Sequence, residues 1–96
     1  MSSAAKIVLV AFAEYLIDNP RFDVDIEGHT DDVGPAEKNL DLSNRRARVV
    51  ADYLIAKGVD SERIHAKGFG QQRPKSDNST AEGRAINRRT EFTIKK

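Results

Sequence analysis

From Ala36 to Lys57 no glycine or proline interrupts the chain, and Ala36, Leu40, Ala47, Val50 and Leu54 recur on one side of a 3.6-residue repeat. Val49 and Tyr53 widen that stripe. A helix with one apolar face draws most of its stability from what it packs against, so the rest of the chain has to supply a matching surface. Pro35 suits the first helical position, Gly58 the left-handed residue past the end, and Val59 the hydrophobic contact that accompanies it.

The matching surface is legible in three extended stretches. Phe22, Val24 and Ile26 alternate with Asp23, Asp25 and Glu27, which predicts a strand with one buried face. Residues 64–70 (IHAKGFG) read as a second strand with a glycine-rich exit, and Thr90, Phe92 and Ile94 alternate in a third. Residues 4–18 read as a first helix, ended by Asn19-Pro20 because the residue before proline leaves the α region. Residues 28–35 and 71–81 read as polar loops, and 82–88 as a helical turn. The order α-β-α-β-β predicts one domain over 1–96, an α/β (α+β) sandwich with helices on one small mixed sheet.

Composition removes several function classes. Sixteen basic against 15 acidic residues leave a net charge of +1, with no general pull toward nucleic acid or anionic lipid. There is no cysteine, hence no disulfide, thiolate ligand or thiol nucleophile. Lys6 followed by the apolar run Ile7 to Ala13 imitates a signal peptide, but the run continues amphipathically through Glu14 to Ile17 and is far short of the roughly 20 residues that span a bilayer. The helix reading therefore predicts no membrane insertion by this segment and no export signal, as expected of a domain from a longer protein.

Two clusters could carry chemistry. Glu27, His29, Asp31 and Asp32 follow the first strand. A metal site needs three or four convergent ligands, whereas His65 is remote and no HExxH pair is present, so capping and loop hydrogen bonds are the favoured role. No cofactor or catalytic residue is expected: Ser43 lies inside a helix, neither a G-x-S-x-G elbow nor a phosphate loop occurs, and Gly68-Phe69-Gly70 reads as a strand exit.

The other cluster is Arg45, Arg46 and Arg48 on the long helix, a pattern that is most often a solvated face. Asn39, Leu42 and Arg46, spaced by three and four, share one side that begins beside the loop carrying Asp31. A carboxylate for an ammonium and a guanidinium fork for a carboxylate would suit a zwitterionic ligand. A direct Asp31–Arg46 ion pair is the equally weighted alternative.

The whole series resembles the OmpA-like peptidoglycan-associated domain shared by OmpA C-terminal regions, the Pal lipoprotein and MotB. It runs through Ile26-Glu27-Gly28-His29-Thr30-Asp31, Gly34, Asn39, Leu42-Ser43, Arg46-Ala47, Gly58-Val59, Lys67-Gly68-Phe69-Gly70, Glu82-Gly83-Arg84-Ala85 and Asn87 to Phe92, covering about residues 7 to 95. The resemblance implies a non-enzymatic module that binds the diaminopimelate of peptidoglycan stem peptides and anchors an outer-membrane or other envelope protein from the periplasm. It implies that Asp31 meets the ligand's amino group and Arg46 its carboxylate, with Asn39, Leu42 and Arg88 nearby. Family domains normally open with a further strand before the first helix, and here that strand is expected either to be missing or to lie upstream of the given residues. The expected consequence is an exposed sheet edge open to a homodimer, or a fragment of weak ligand affinity working in structural or oligomeric contacts.

Overall fold

The computed structural model describes residues 2–96 and builds helix α1 (Ser3–Asp18), strand β1 (Asp23–His29), helix α2 (Ala36–Ala56), strand β2 (Ile64–Gly70), helix α3 (Ala81–Asn87) and strand β3 (Thr90–Lys95). A single 3-10 turn, Ser61–Arg63, leads into β2. The sheet order is β2-β1-β3, with β1 parallel to β2 and antiparallel to β3. The mixed sheet and its helical layer are those anticipated; the helical turn expected at 82–88 is a third helix.

The alternation in β1 sorts its side chains onto two faces. Val24 and Ile26 turn to the helical layer and are fully buried in a core with Leu16, Ala47, Ala51 and Leu54. Each such aliphatic side chain contributes about 1.5–3 kcal/mol through burial. Ile26→Ala would cost about 2–5 kcal/mol because the cavity adds to the lost transfer energy. The odd-numbered residues Asp23, Asp25, Glu27 and His29 take the opposite face.

Helix ends follow local chemistry. The Ser2 hydroxyl accepts from Ala5 N at 3.1 Å and starts α1. Its last turn ends at Asn19, and the Arg63 guanidinium donates to the carbonyls of Leu16, Asn19 and Phe22 at 2.6–2.9 Å. One side chain thereby satisfies carbonyls that the helix terminus and following loop would leave unpaired. Past α2, Gly58 N–H donates to Ile55 O at 3.0 Å and Val59 N–H to Leu54 O at 3.2 Å, a Schellman pair with Gly58 at φ 108° and Val59 buried.

Three expectations shift. Gly28 and His29 belong to β1 rather than to the loop, since both are paired to β2 and Gly28 also to β3. Pro35 is the N-cap, not the first helical residue, and makes no side-chain cap. The stretch 82–88 is a seven-residue helix, Ala81–Asn87, capped by the Thr80 hydroxyl, which accepts from Gly83 N at 2.9 Å. Fully buried Asn87 then accepts from Lys75 and Ser76 N–H and donates to Ser76 O and Asn78 Oδ1, so the polar 71–81 loop is tied down at its centre.

Among the described residues, no helix is long and apolar enough to cross a membrane.

Candidate functional site

The loop from Thr30 to Pro35 leaves the C-terminal end of β1 and passes over the start of α2. Helix α2 lies against the sheet at backbone distance there. A Cβ built on Gly68 would sit 2.2 Å from Asn44 N, and one on Gly28 would sit 2.4 Å from Ser43 O. Glycine at these positions is therefore a packing requirement rather than a mark of the strand exit. The gap it leaves is bridged by hydrogen bonds: Gly68 N–H donates to Asn44 Oδ1 at 2.7 Å, and Gly70 N–H to Ser43 Oγ at 2.8 Å. The sequence singled out neither Ser43 nor Asn44 for this role.

Asn39 locks the loop to this seam. Its amide nitrogen lies 3.4 Å from Asp31 O, 3.1 Å from Val33 O and 3.0 Å from Gln71 Oε1. Buried and already engaged, Asn39 shapes the loop rather than presenting a free amide.

Asp31 is held at both carboxylate oxygens. Oδ1 accepts Val33 N–H at 3.1 Å, and Oδ2 accepts Arg88 Nη1 at 2.8 Å. Its side chain is 12% exposed and that of Arg88 is 48% exposed, so the carboxylate is largely enclosed while its guanidinium partner reaches solvent. The Arg88 hydrogen bond, helped by Val33 N–H, keeps the Asp31 carboxyl below the usual carboxylate range against the opposing effect of burial. The salt-bridge partner is thus Arg88, reached only after α3 has turned the chain back; among the described residues no ion pair joins Asp31 to Arg46.

Arg46 is exposed and lines a depression of about 370 Å³ with Leu42, Arg45, Val49, Val50 and Thr90. The expected face-sharing of Leu42 and Arg46 is observed, whereas Asn39 turns into the loop and Asp31 is not among the residues lining that depression. The arrangement is therefore two charged stations, one on the loop before α2 and one on α2 itself. Asp31 with Arg88 forms one, and Arg46 over an apolar floor forms the other.

The acidic-histidine cluster does not converge. His29 is 2% exposed, its ring stacked on Phe69 at 5.6 Å, with Nε2 3.5 Å from Glu27 and 3.8 Å from Glu91. Burial, and then the Arg89 charge, push its pKa below the ordinary 6.5, while Glu91 and Glu27 oppose. Among the described residues no group of three His, Cys, Asp or Glu side chains is placed to hold a metal. Nor do these residues cap α2; only Asp31 settles its loop by a side-chain bond.

Comparison with known proteins gives one pattern throughout. The OmpA family model matches residues 1–88. Outer membrane porin F of Pseudomonas aeruginosa is 47% identical over 83 residues, which are 85% of this chain and 24% of that protein. Peptidoglycan-binding protein ArfA of Mycobacterium bovis is 42% identical over 87 residues, 91% of this chain and 27% of that protein. The chain thus spans about a quarter of those two relatives. The crystal structure of the peptidoglycan-associated lipoprotein from Burkholderia pseudomallei superposes with a TM-score of 0.94 at 28% identity, covering 99% of this chain and 80% of that one.

Proposed function

The chain belongs to the OmpA family, and on that premise we propose that it binds peptidoglycan non-covalently through the diaminopimelate of a stem peptide. On this reading it holds a periplasmic part of an envelope or outer-membrane protein to the cell wall, and it breaks no bond. The observation that carries the reading is the largely enclosed Asp31 carboxylate, kept ionised by the half-exposed Arg88, on the loop that leads into a helix offering Arg46 over an apolar floor. Asp31 takes the ligand ammonium by sharing or releasing Arg88. Arg46 takes the carboxylate as a bidentate fork, and Leu42 packs against the methylene chain. Asn39 acts by holding the loop that carries Asp31, and Arg88 sets the charge of the site from beside the ligand. The names of the lipoprotein neighbour and of the mycobacterial relative support a cell-wall ligand.

Calorimetric titration with a diaminopimelate-containing muropeptide tests this. Asp31→Ala and Arg46→Ala should each weaken binding by about 1.5–3 kcal/mol, the range for hydrogen bonds to charged groups. Affinity indifferent to both substitutions would sink the assignment. A second reading, in which the chain works through contacts with another copy of itself, is favoured by one observation: among the described residues β3 lies at one end of the sheet order.

A further inference from the structure

Charge around Asp31 does not balance. Arg84 and Arg88 stand one turn apart at the C-terminal end of α3, where Arg88 N–H donates to Arg84 O at 3.1 Å. Arg88 goes on to meet Asp31 at 2.8 Å. Arg84 is partly buried, and its Nη1 donates to a neutral group, Asn78 O, at 3.0 Å. Arg45, Arg48, Arg73, Arg88 and Arg89 each face a carboxylate, whereas among the described residues none pairs with Arg84. Arg21 and Arg46, which also lack one, stand in solvent. Arg63, partly buried as well, donates to three carbonyls, against one for Arg84. A guanidinium drawn partly out of water is normally matched by an acid, because its desolvation is otherwise uncompensated. The carboxylate that feels the Arg84 charge is Asp31. Its carboxyl is held low chiefly by the Arg88 hydrogen bond, then by Val33 N–H, and at longer range by Arg84, against the effect of burial. The adjoining Asp32 is exposed, where water and salt screen its charge. One enclosed carboxylate thus faces two guanidinia, leaving a surplus of one positive charge.

We propose that Arg84 is a positioning charge that sets ligand specificity: it makes the Asp31 station refuse a lone ammonium and accept one that carries a carboxylate on the same carbon. A lone ammonium brings a third cation to a single carboxylate. A zwitterionic centre adds no net charge, and its carboxylate offsets the guanidinium that Asp31 gives up. Arg84 acts through the field at Asp31 rather than by touching the ligand. The proposal rests on the diaminopimelate reading above, because the free end of that residue is such a centre. The side-chain amine of lysine is not, nor is a diaminopimelate amidated at its free carboxyl.

Calorimetric titration of the full chain with three muropeptides tests this: one containing diaminopimelate, one its carboxamide and one lysine. The parent should bind the first about tenfold or more tightly than the other two. Arg84→Gln keeps a donor for Asn78 O but removes the charge. It should tighten binding of the carboxamide and lysine forms about threefold to tenfold and move the diaminopimelate form less than about twofold, while Arg84→Lys behaves as the parent. Added salt should narrow the gap between ligands in the parent. A merely structural role for Arg84 predicts the same fold change for all three ligands, and that result overturns the proposal. So does a parent that binds all three alike. An NMR titration of the Asp31 carboxyl supplies a readout that needs no ligand. Its midpoint should rise in Arg84→Gln and stay at the parent value in Arg84→Lys. No rise in the glutamine variant overturns the role of Arg84 even where the muropeptides are discriminated. A parent that binds no diaminopimelate muropeptide, with the Asp31 midpoint moving as expected, overturns the functional reading and the specificity role with it.

Discussion

Helix α2 and helix α1 lie on the same face of the same sheet but are fastened in opposite ways. Where α2 meets β2, Gly68 allows backbone-distance packing and Ser43 and Asn44 close it with hydrogen bonds to strand amides. Where α1 meets β3, the contact is between side chains: Phe12 and Phe92 in an edge-to-face pair at 5.1 Å, with Ile7 and Val8 left open to solvent. The first seam has no tolerance for added atoms and positions the loop that bears Asp31. The second is apolar and made of side chains that can readjust.

The sharpest break of that contrast is Gly68→Ala. The added methyl collides with the backbone of Ser43 and Asn44 as well as with the buried Ser43 hydroxyl, so the expected loss is about 3 kcal/mol in urea unfolding, with muropeptide affinity falling as α2 shifts. A loss under about 1 kcal/mol would show that the seam is looser than its geometry implies. Ser43→Ala comes next. It strands the buried Gly70 N–H and should cost about 1–3 kcal/mol in the same measurement.

A pH series sharpens the comparison on the open face of the sheet. His29 has its folded pKa lowered, so its contribution to stability is complete above 6.5 and is lost as pH falls from there through the lowered value. Asp31 and Glu91 are also lowered, but as carboxyls their contributions are lost only in more acid solution, as pH falls through values below 3.8 and 4.5 respectively. Melting temperature should therefore begin to fall below pH 6.5, ahead of the carboxyl losses, and His29→Gln should abolish this upper step alone. Survival of that upper step in the variant would assign it to another group. The smallest effect belongs to the loose flank. Val8→Ser should stay within about 0.5 kcal/mol of the parent in monomer stability, because the side chain is 65% exposed.

Much of the architecture was legible because it is written in short-range periodicity. The α2 stripe, the alternation at Val24 and Ile26, and the Gly58-Val59 terminus each depend on residues a few positions apart, and all three appear in place. Helix α3 was under-read because seven residues give barely two turns, and its stability comes from Thr80 capping and from the Asn87 hydrogen bonds to the preceding loop. His29 and its acidic neighbours read as capping and loop residues; stacking on Phe69 and burial show His29 instead to be packed against the sheet.

What the amino-acid order determined alone was the set of elements, the apolar face of each, and the choice of Asp31, Leu42 and Arg46 as residues worth testing. The tertiary structure decided their partners. Asp31 meets Arg88 across 57 positions of chain, and Asn39 reaches Gln71 across 32. The periodicity of one helix or strand carries no information about such distances. Charge chemistry makes an Asp and an Arg compatible wherever they meet, and only the return of the chain through α3 determines which Arg arrives.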